Sequence, residues 1–149
     1  MEKNRSTLTE NHGMESRRKL IHVCTMPIRW GDLDAYGHVN NTVYFRYMEQ
    51  ARVEWIEAMN VPVRPGGSGP VIINASCTFL IPMNYPGSVE VRTYTGPAGR
   101  SSVQTYVEMR LEGDDRIYAE GAAKVVWMDT QSGKSVSLPD HVRAVLEAD

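Results

Sequence analysis

Residues 29–52, RWGDLDAYGHVNNTVYFRYMEQAR, set two carboxylates (Asp32, Asp34), a glycine (Gly37), His38 and two asparagines (Asn40, Asn41) directly ahead of a helical stretch. A carboxylate can attack a carbonyl carbon or take a proton from water, provided donors are held where the oxyanion develops. A helix start supplies such donors, because its first N–H groups are unpaired and its dipole is positive there. Asp34 lies seven residues before Asn41. With Gly37 allowing a tight turn, a compact loop can place the Asp34 carboxylate across a substrate carbonyl from the helix start. No metal or cofactor is needed for that chemistry. The same residues also have ordinary uses. An Asp before a helix commonly forms a cap or an Asx-turn. Asp32 is expected to bond loop amides, Asn40 and Asn41 to serve mainly through their backbone, and His38 is the usual proton carrier near neutral pH.

The element that carries these residues is the one long helical signal. From Tyr44, apolar residues recur at Tyr47, Met48, Ala51, Trp55 and Ala58, the three-and-four spacing of a helix face. Asn40 or Asn41 caps its start, and Asn60 and Pro62 end it. Phe45, Val53 and Ile56 lie off the main stripe, as expected of a helix buried on most sides by a wrapping sheet. Glu49 shares a second face with Phe45, Arg52 and Ile56, and Glu49–Arg52 has the i,i+3 spacing of a structural ion pair. A first strand is expected over 20–29. After a Gly/Pro loop (62–70), four strands are expected. Residues 71–81 are apolar enough for a central strand, and 88–95 and 103–111 alternate cleanly. Residues 116–128 follow, with Gly121 a bulge or close-approach point. Pro139 opens a short terminal helix with Val142, Val145 and Leu146. A strand, a long helix and a run of consecutive strands argue an α+β fold with an antiparallel sheet.

Residues 1–18 lack hydrophobic periodicity and are expected to form a tail, leaving one domain over 19–149. They contain no apolar core of a secretory signal, so the reading is a cytoplasmic protein. The net charge of −2 gives no reason to expect nucleic-acid or membrane partners. Cys24 and Cys77 sit in apolar runs without C-x-x-C spacing, and read as reduced core thiols. His12, His22, His38 and His141 are scattered, and no H-E-x-x-H or zinc spacing occurs. Gly96-Pro97-Ala98-Gly99-Arg100 is not a phosphate loop, and no G-x-S-x-G elbow is present.

The stretch D-L-D-A-Y-G-H-V-N-N-T-V-Y-F-R-Y-M-E-Q-A-R (32–52) closely resembles the signature of hot-dog-fold acyl-CoA thioesterases of the 4-hydroxybenzoyl-CoA thioesterase type. The resemblance spans about residues 20–147. It implies a hot-dog fold, a five-stranded antiparallel sheet wrapped around one long central helix, and no cofactor. It implies hydrolysis of an acyl-CoA thioester, with Asp34 as the catalytic carboxylate and the donor N–H at Asn41. Gly37 shapes the loop, and His38 sits at a position that organises it. Glu49 is the reserve carboxylate, since another hot-dog branch uses a helical Glu. For the substrate, Tyr47 and Met48 with loop 62–70 could shape the acyl pocket. Arg100, with Ser101 and Ser102, is the first choice for the coenzyme A phosphates, and Arg64 is the second. The resemblance also implies edge-to-edge pairing into a ten-stranded sheet, giving a homodimer or a tetramer of dimers, with the substrate on coenzyme A or an acyl carrier protein. Two other readings stay open. One is a hot-dog hydratase or dehydratase using His38 with Glu49; the other is a non-catalytic acyl-thioester binding module.

Overall fold

The structure, a computed structural model, describes residues 18–61 and 66–149. The expected tail lies outside the described residues apart from Arg18, and so does Arg64. Five strands form one antiparallel sheet in the order β1-β3-β4-β5-β2: β1 (Lys19–Pro27), β2 (Ser68–Phe79), β3 (Ser88–Thr95), β4 (Ser102–Leu111) and β5 (Ala119–Asp129). The long helix α1 (Asn41–Ala58) crosses one face of this sheet, and α2 (Asp140–Glu147) closes one end. This is the expected α+β hot-dog arrangement.

The alternating strands behave as their pattern requires. Val103, Thr105, Val107 and Met109 of β4 are buried, while the residues between them are half-buried. On α1 the stripe Tyr44, Tyr47, Met48, Ala51, Trp55 is buried together with Ile56. Phe45 is exposed and Val53 only half-buried, so the sheet covers one face of the helix rather than most sides. Two apolar clusters fill the space beneath. One joins the first half of α1 to β1, β3 and Met83; the other joins Trp55 and Ile56 to Val103, Val125, Trp127 and the α2 residues Val142 and Leu146. Val145 of α2 is exposed rather than buried. Lys19 Nζ ties the α2 end to β1 by donating to the carbonyls of Val145 (2.7 Å) and Ala148 (2.6 Å).

Gly121 is a close-approach point in register, without a bulge. A Cβ there would lie 2.8 Å from Val107 Cγ2 and 2.9 Å from the Met48 thioether end, so the absence of a side chain lets α1 lie down on β5. The Met48 end can swing away, but the branched Val107 cannot. Gly121→Ala is therefore expected to lower stability by about 1–3 kcal/mol through overpacking, read as a lower denaturant midpoint at unchanged slope.

A further expectation is overturned. The apolar run after the Gly/Pro loop is not a central strand: β2 is an edge strand, paired among the described residues only with β5. Its sequence is apolar on both faces, yet Ile73 is 52% exposed and Phe79 44%, with Leu80 just beyond it at 51%. Apolar character on both faces says that a strand is covered, without saying whether its own chain covers it. No helix among the described residues is long and apolar enough to cross a membrane.

Candidate active site

The loop between β1 and α1 is held by bonds that its own sequence supplies. A single 3-10 turn (Trp30–Asp32) follows β1, and the Arg29 N–H donates to Asp32 Oδ2 at 2.9 Å. The Asp34 N–H donates to the His38 carbonyl (2.8 Å), and the Gly37 N–H to the Asp34 carbonyl (3.1 Å). Gly37 adopts φ +78°, the left-handed region in which an L side chain is strained. The Val39 N–H reaches the Met83 carbonyl (2.9 Å), which docks the loop onto the segment after β2. Asn40 is the cap: its Oδ1 accepts from the Thr42 N–H (3.0 Å) and hydroxyl (2.9 Å).

Asp34 is half-buried, and its Oδ1 accepts from the N–H groups of Tyr36 (2.8 Å) and His38 (3.3 Å). This is an Asx-turn, as the ordinary reading of the residue expects, but it uses one oxygen only. Oδ2 has no partner among the described residues, and neither has the Asn41 N–H at the first position of α1. The loop thus presents a carboxylate oxygen and an unpaired helix-start donor at the same end of α1. The side chains of Asn41 and His38 are exposed.

Tyr47 has a different place from the one expected. It is buried, and its hydroxyl donates to Asp32 Oδ2 at 2.8 Å. Burial first, and then the facing Asp32 carboxylate, push this phenol well above its ordinary range, so it remains a donor at any working pH. Tyr47 is therefore a positioning residue that pins the aspartate loop to the helix. Tyr47→Phe leaves Asp32 with the Arg29 N–H alone on that oxygen. It is expected to cost about 1–3 kcal/mol in stability and to lower kcat with little change in KM. Paired denaturation curves and kinetics of the two proteins check both.

Glu49 does not pair with Arg52. It is exposed and bonded to Arg46 (2.9 Å), also at i,i+3, while Arg52 is half-buried; both Glu49 and Arg52 line a cleft with Val53, Ile56 and the start of β2. Desolvation lowers the Arg52 guanidinium from its usual range. Arg46 wins because it lies on the solvent side with Glu49, where no desolvation opposes the pair. Arg100 and Ser101 are in the β3–β4 turn, which α2 brackets through Arg143 donation to the Gly99 (2.8 Å) and Arg100 (3.0 Å) carbonyls. The Asp34 loop packs at the other end of β3, since the Ile28 N–H reaches the Gly87 carbonyl at 2.8 Å. A strand of that length spans about 25 Å, so one chain does not bring Arg100 and Asp34 together.

The wall beside Asp34 was not foreseen from the sequence. Tyr44 is buried on α1 and stacks edge-on against Phe79 of β2, with ring centroids 4.9 Å apart. Burial pushes the Tyr44 phenol up, and the neighbouring Cys77 and Asp34 act in the same direction. Burial also pushes the Cys77 thiol up to about 11, which keeps it protonated at neutral pH and excludes it as a ready nucleophile. The site therefore runs from the helix start onto β2, the strand whose outer edge is uncovered.

Residues 28–146 match the thioesterase-like superfamily over most of the chain. The chain belongs to this superfamily. Among solved structures, the PA2801 protein of Pseudomonas aeruginosa is 39% identical and superposes with a TM-score of 0.83, covering 86% of this chain and 99% of that one. The acyl-acyl carrier protein thioesterase ATL2 of Arabidopsis thaliana is 28% identical over 130 residues, 83% of this chain and 67% of the relative. The long-chain acyl-CoA thioesterase FadM of Escherichia coli is 24% identical over 130 residues, 80% of this chain and 92% of the relative. The superfamily match begins at Ile28 and so contains the whole aspartate loop of this thioesterase-like protein, together with α1, β2 to β5 and all but the last residue of α2.

Proposed function

We propose that this protein hydrolyses an acyl thioester to a carboxylic acid and a free thiol, with Asp34 as the catalytic carboxylate and the Asn41 N–H as the donor to the carbonyl oxygen. One observation carries the reading: among the described residues Asp34 Oδ2 has no partner, and the helix that follows its loop begins on an N–H that has none either. A thioester carbonyl bound against Asn41 would be polarised by that N–H and by the helix dipole. Asp34 Oδ2 would then attack the carbonyl carbon, or take a proton from the water that does. In either route the thiolate leaves with the C–S electron pair and takes up a proton; in the first, water then cleaves the anhydride on Asp34, releasing the acid and restoring the carboxylate. Gly37 sets the turn, and His38 organises the loop through its backbone.

FadM is a long-chain acyl-CoA thioesterase and ATL2 an acyl-acyl carrier protein thioesterase, which supports an aliphatic acyl group on coenzyme A or a carrier protein. The 4-hydroxybenzoyl-CoA resemblance supports an aromatic one. A thiol-release assay over aromatic, short, medium and long acyl-CoAs, with one acyl carrier protein thioester, separates these. Release from at least one is expected, and no release from any would overturn the proposal in favour of a binding module. A His38–Glu49 hydratase pair gains no support, because Glu49 lies about two turns along α1 and is bonded to Arg46.

The reading includes a homodimer or larger assembly in the cytoplasm, paired through β2. The exposed apolar residues of that strand and the open wall at Tyr44 and Phe79 support it. In such a pairing Arg100 and Ser101 would meet a coenzyme A nucleotide only from another protomer.

A further inference from the structure

A second cluster of reactive side chains lies at the opposite edge of the sheet from β2, and the chemistry above does not use it. His22 and Cys24 stand two residues apart on β1 and so share a face. Glu54 meets them from α1, and one ligand atom from each of the three lies within 4.8 Å of the others. His22 Nε2 is 3.9 Å from Glu54 Oε2. Cys24 is buried, while His22 and Glu54 are half-buried.

Two buried polar atoms here have no hydrogen-bond partner among the described residues: Glu54 Oε2 and Thr93 Oγ1. Thr93 is 1% exposed and is the cross-strand partner of His22, so its hydroxyl is on the same face of the sheet. An unpaired buried carboxylate oxygen and hydroxyl are each costly, and a bound ion that keeps a water would satisfy both.

We propose that His22 Nε2, Cys24 Sγ and a Glu54 carboxylate oxygen hold one divalent cation of the zinc class, with water in the fourth position on the Thr93 side. Nitrogen, sulfur and oxygen donors in this mixture suit zinc, and three protein ligands leave one position open. Bond lengths of about 2.0–2.3 Å put tetrahedral donors about 3.3–3.6 Å apart, so the side chains need close by only about 1 Å. On binding, the metal–sulfur bond forms as the thiol proton passes to solvent. One thiolate and one carboxylate then balance the two positive charges, which suits the largely apolar surroundings. The ion would pin the edge strand β1 to the second half of α1.

The test uses the full chain freed of metal with a chelator, then titrated with cobalt(II) and displaced with zinc(II). A thiolate-to-cobalt charge-transfer band is expected to saturate near one equivalent and to vanish when zinc is added. Cys24→Ser should abolish the band, and Cys77→Ser should leave it intact. His22→Ala and Glu54→Gln change half-buried side chains, and each should weaken zinc more than about tenfold by chelator competition, with an unfolding curve for each variant checking that it stays folded. No cobalt band in the unmodified protein, or a band that survives Cys24→Ser, would overturn the site. Unchanged zinc affinity in both His22→Ala and Glu54→Gln would overturn the ligand assignment. None of these readouts involves turnover, so the outcome is independent of the thioesterase proposal.

Discussion

Asp34→Asn is expected to lower turnover of the best acyl thioester by about 10²–10⁴-fold with the fold unchanged. Asn is the informative substitution because the Asx-turn needs only an acceptor at Oδ1. The side-chain carbonyl of Asn can still take the N–H groups of Tyr36 and His38, so the loop and the Asn41 donor stay in place. What is lost is the charged second oxygen. Asp34→Ala would remove the turn as well and mix a structural loss with a chemical one. Kinetics over the responding substrate, with a thermal unfolding curve for each protein, check the prediction. A kcat within a few-fold of the unmodified enzyme would remove Asp34 from the chemistry, and Glu49→Gln would be the next substitution to measure.

The parts of this molecule readable from its sequence are those whose determinants are local. The period-two alternation of 103–111 is local, and its inward residues are buried as expected. So is the loop before α1: the glycine at positive φ, the Asn40 cap and the Asx-turn all lie within a few residues of one another. Three features escaped because they depend on distant partners. Tyr47 reads as a pocket residue on a helix face, and only the fold of the loop brings Asp32 to its hydroxyl. Arg46 and Arg52 both have i,i+3 spacing to Glu49, and burial of one of them decides between them. His22-x-Cys24 shows no zinc spacing, because the third donor is thirty residues beyond Cys24 on another element. Apolar residues on both faces of β2 announce a covered strand, but a single chain leaves its outer edge open.

That open edge carries the second large effect. The unmodified protein is expected to run in light scattering at twice 16.7 kDa or a higher multiple, with β2 strands paired across the interface. Edge strands are natural templates for pairing, and proteins that avoid it place charges there. This chain instead places Ile73, 52% exposed, at the register shift of β2 between Ile72 and Asn74. Ile73→Lys puts a charge where a partner strand would have to desolvate it, while β2 keeps its own pairing with β5. The variant is therefore expected to stay folded and to run at 16.7 kDa. Its activity should fall about 10²-fold as well, for a reason of position rather than chemistry. Tyr44 and Phe79 wall one side of the Asp34 loop among the described residues, and in the proposed pairing a second protomer supplies the facing wall that excludes water from the carboxylate and the thioester. Mass and turnover must drop together and recover together at high protein concentration. An unmodified protein that is monomeric and fully active would sink the shared-site reading. A monomeric Ile73→Lys variant with full activity would leave the pairing intact but make each site complete within one chain.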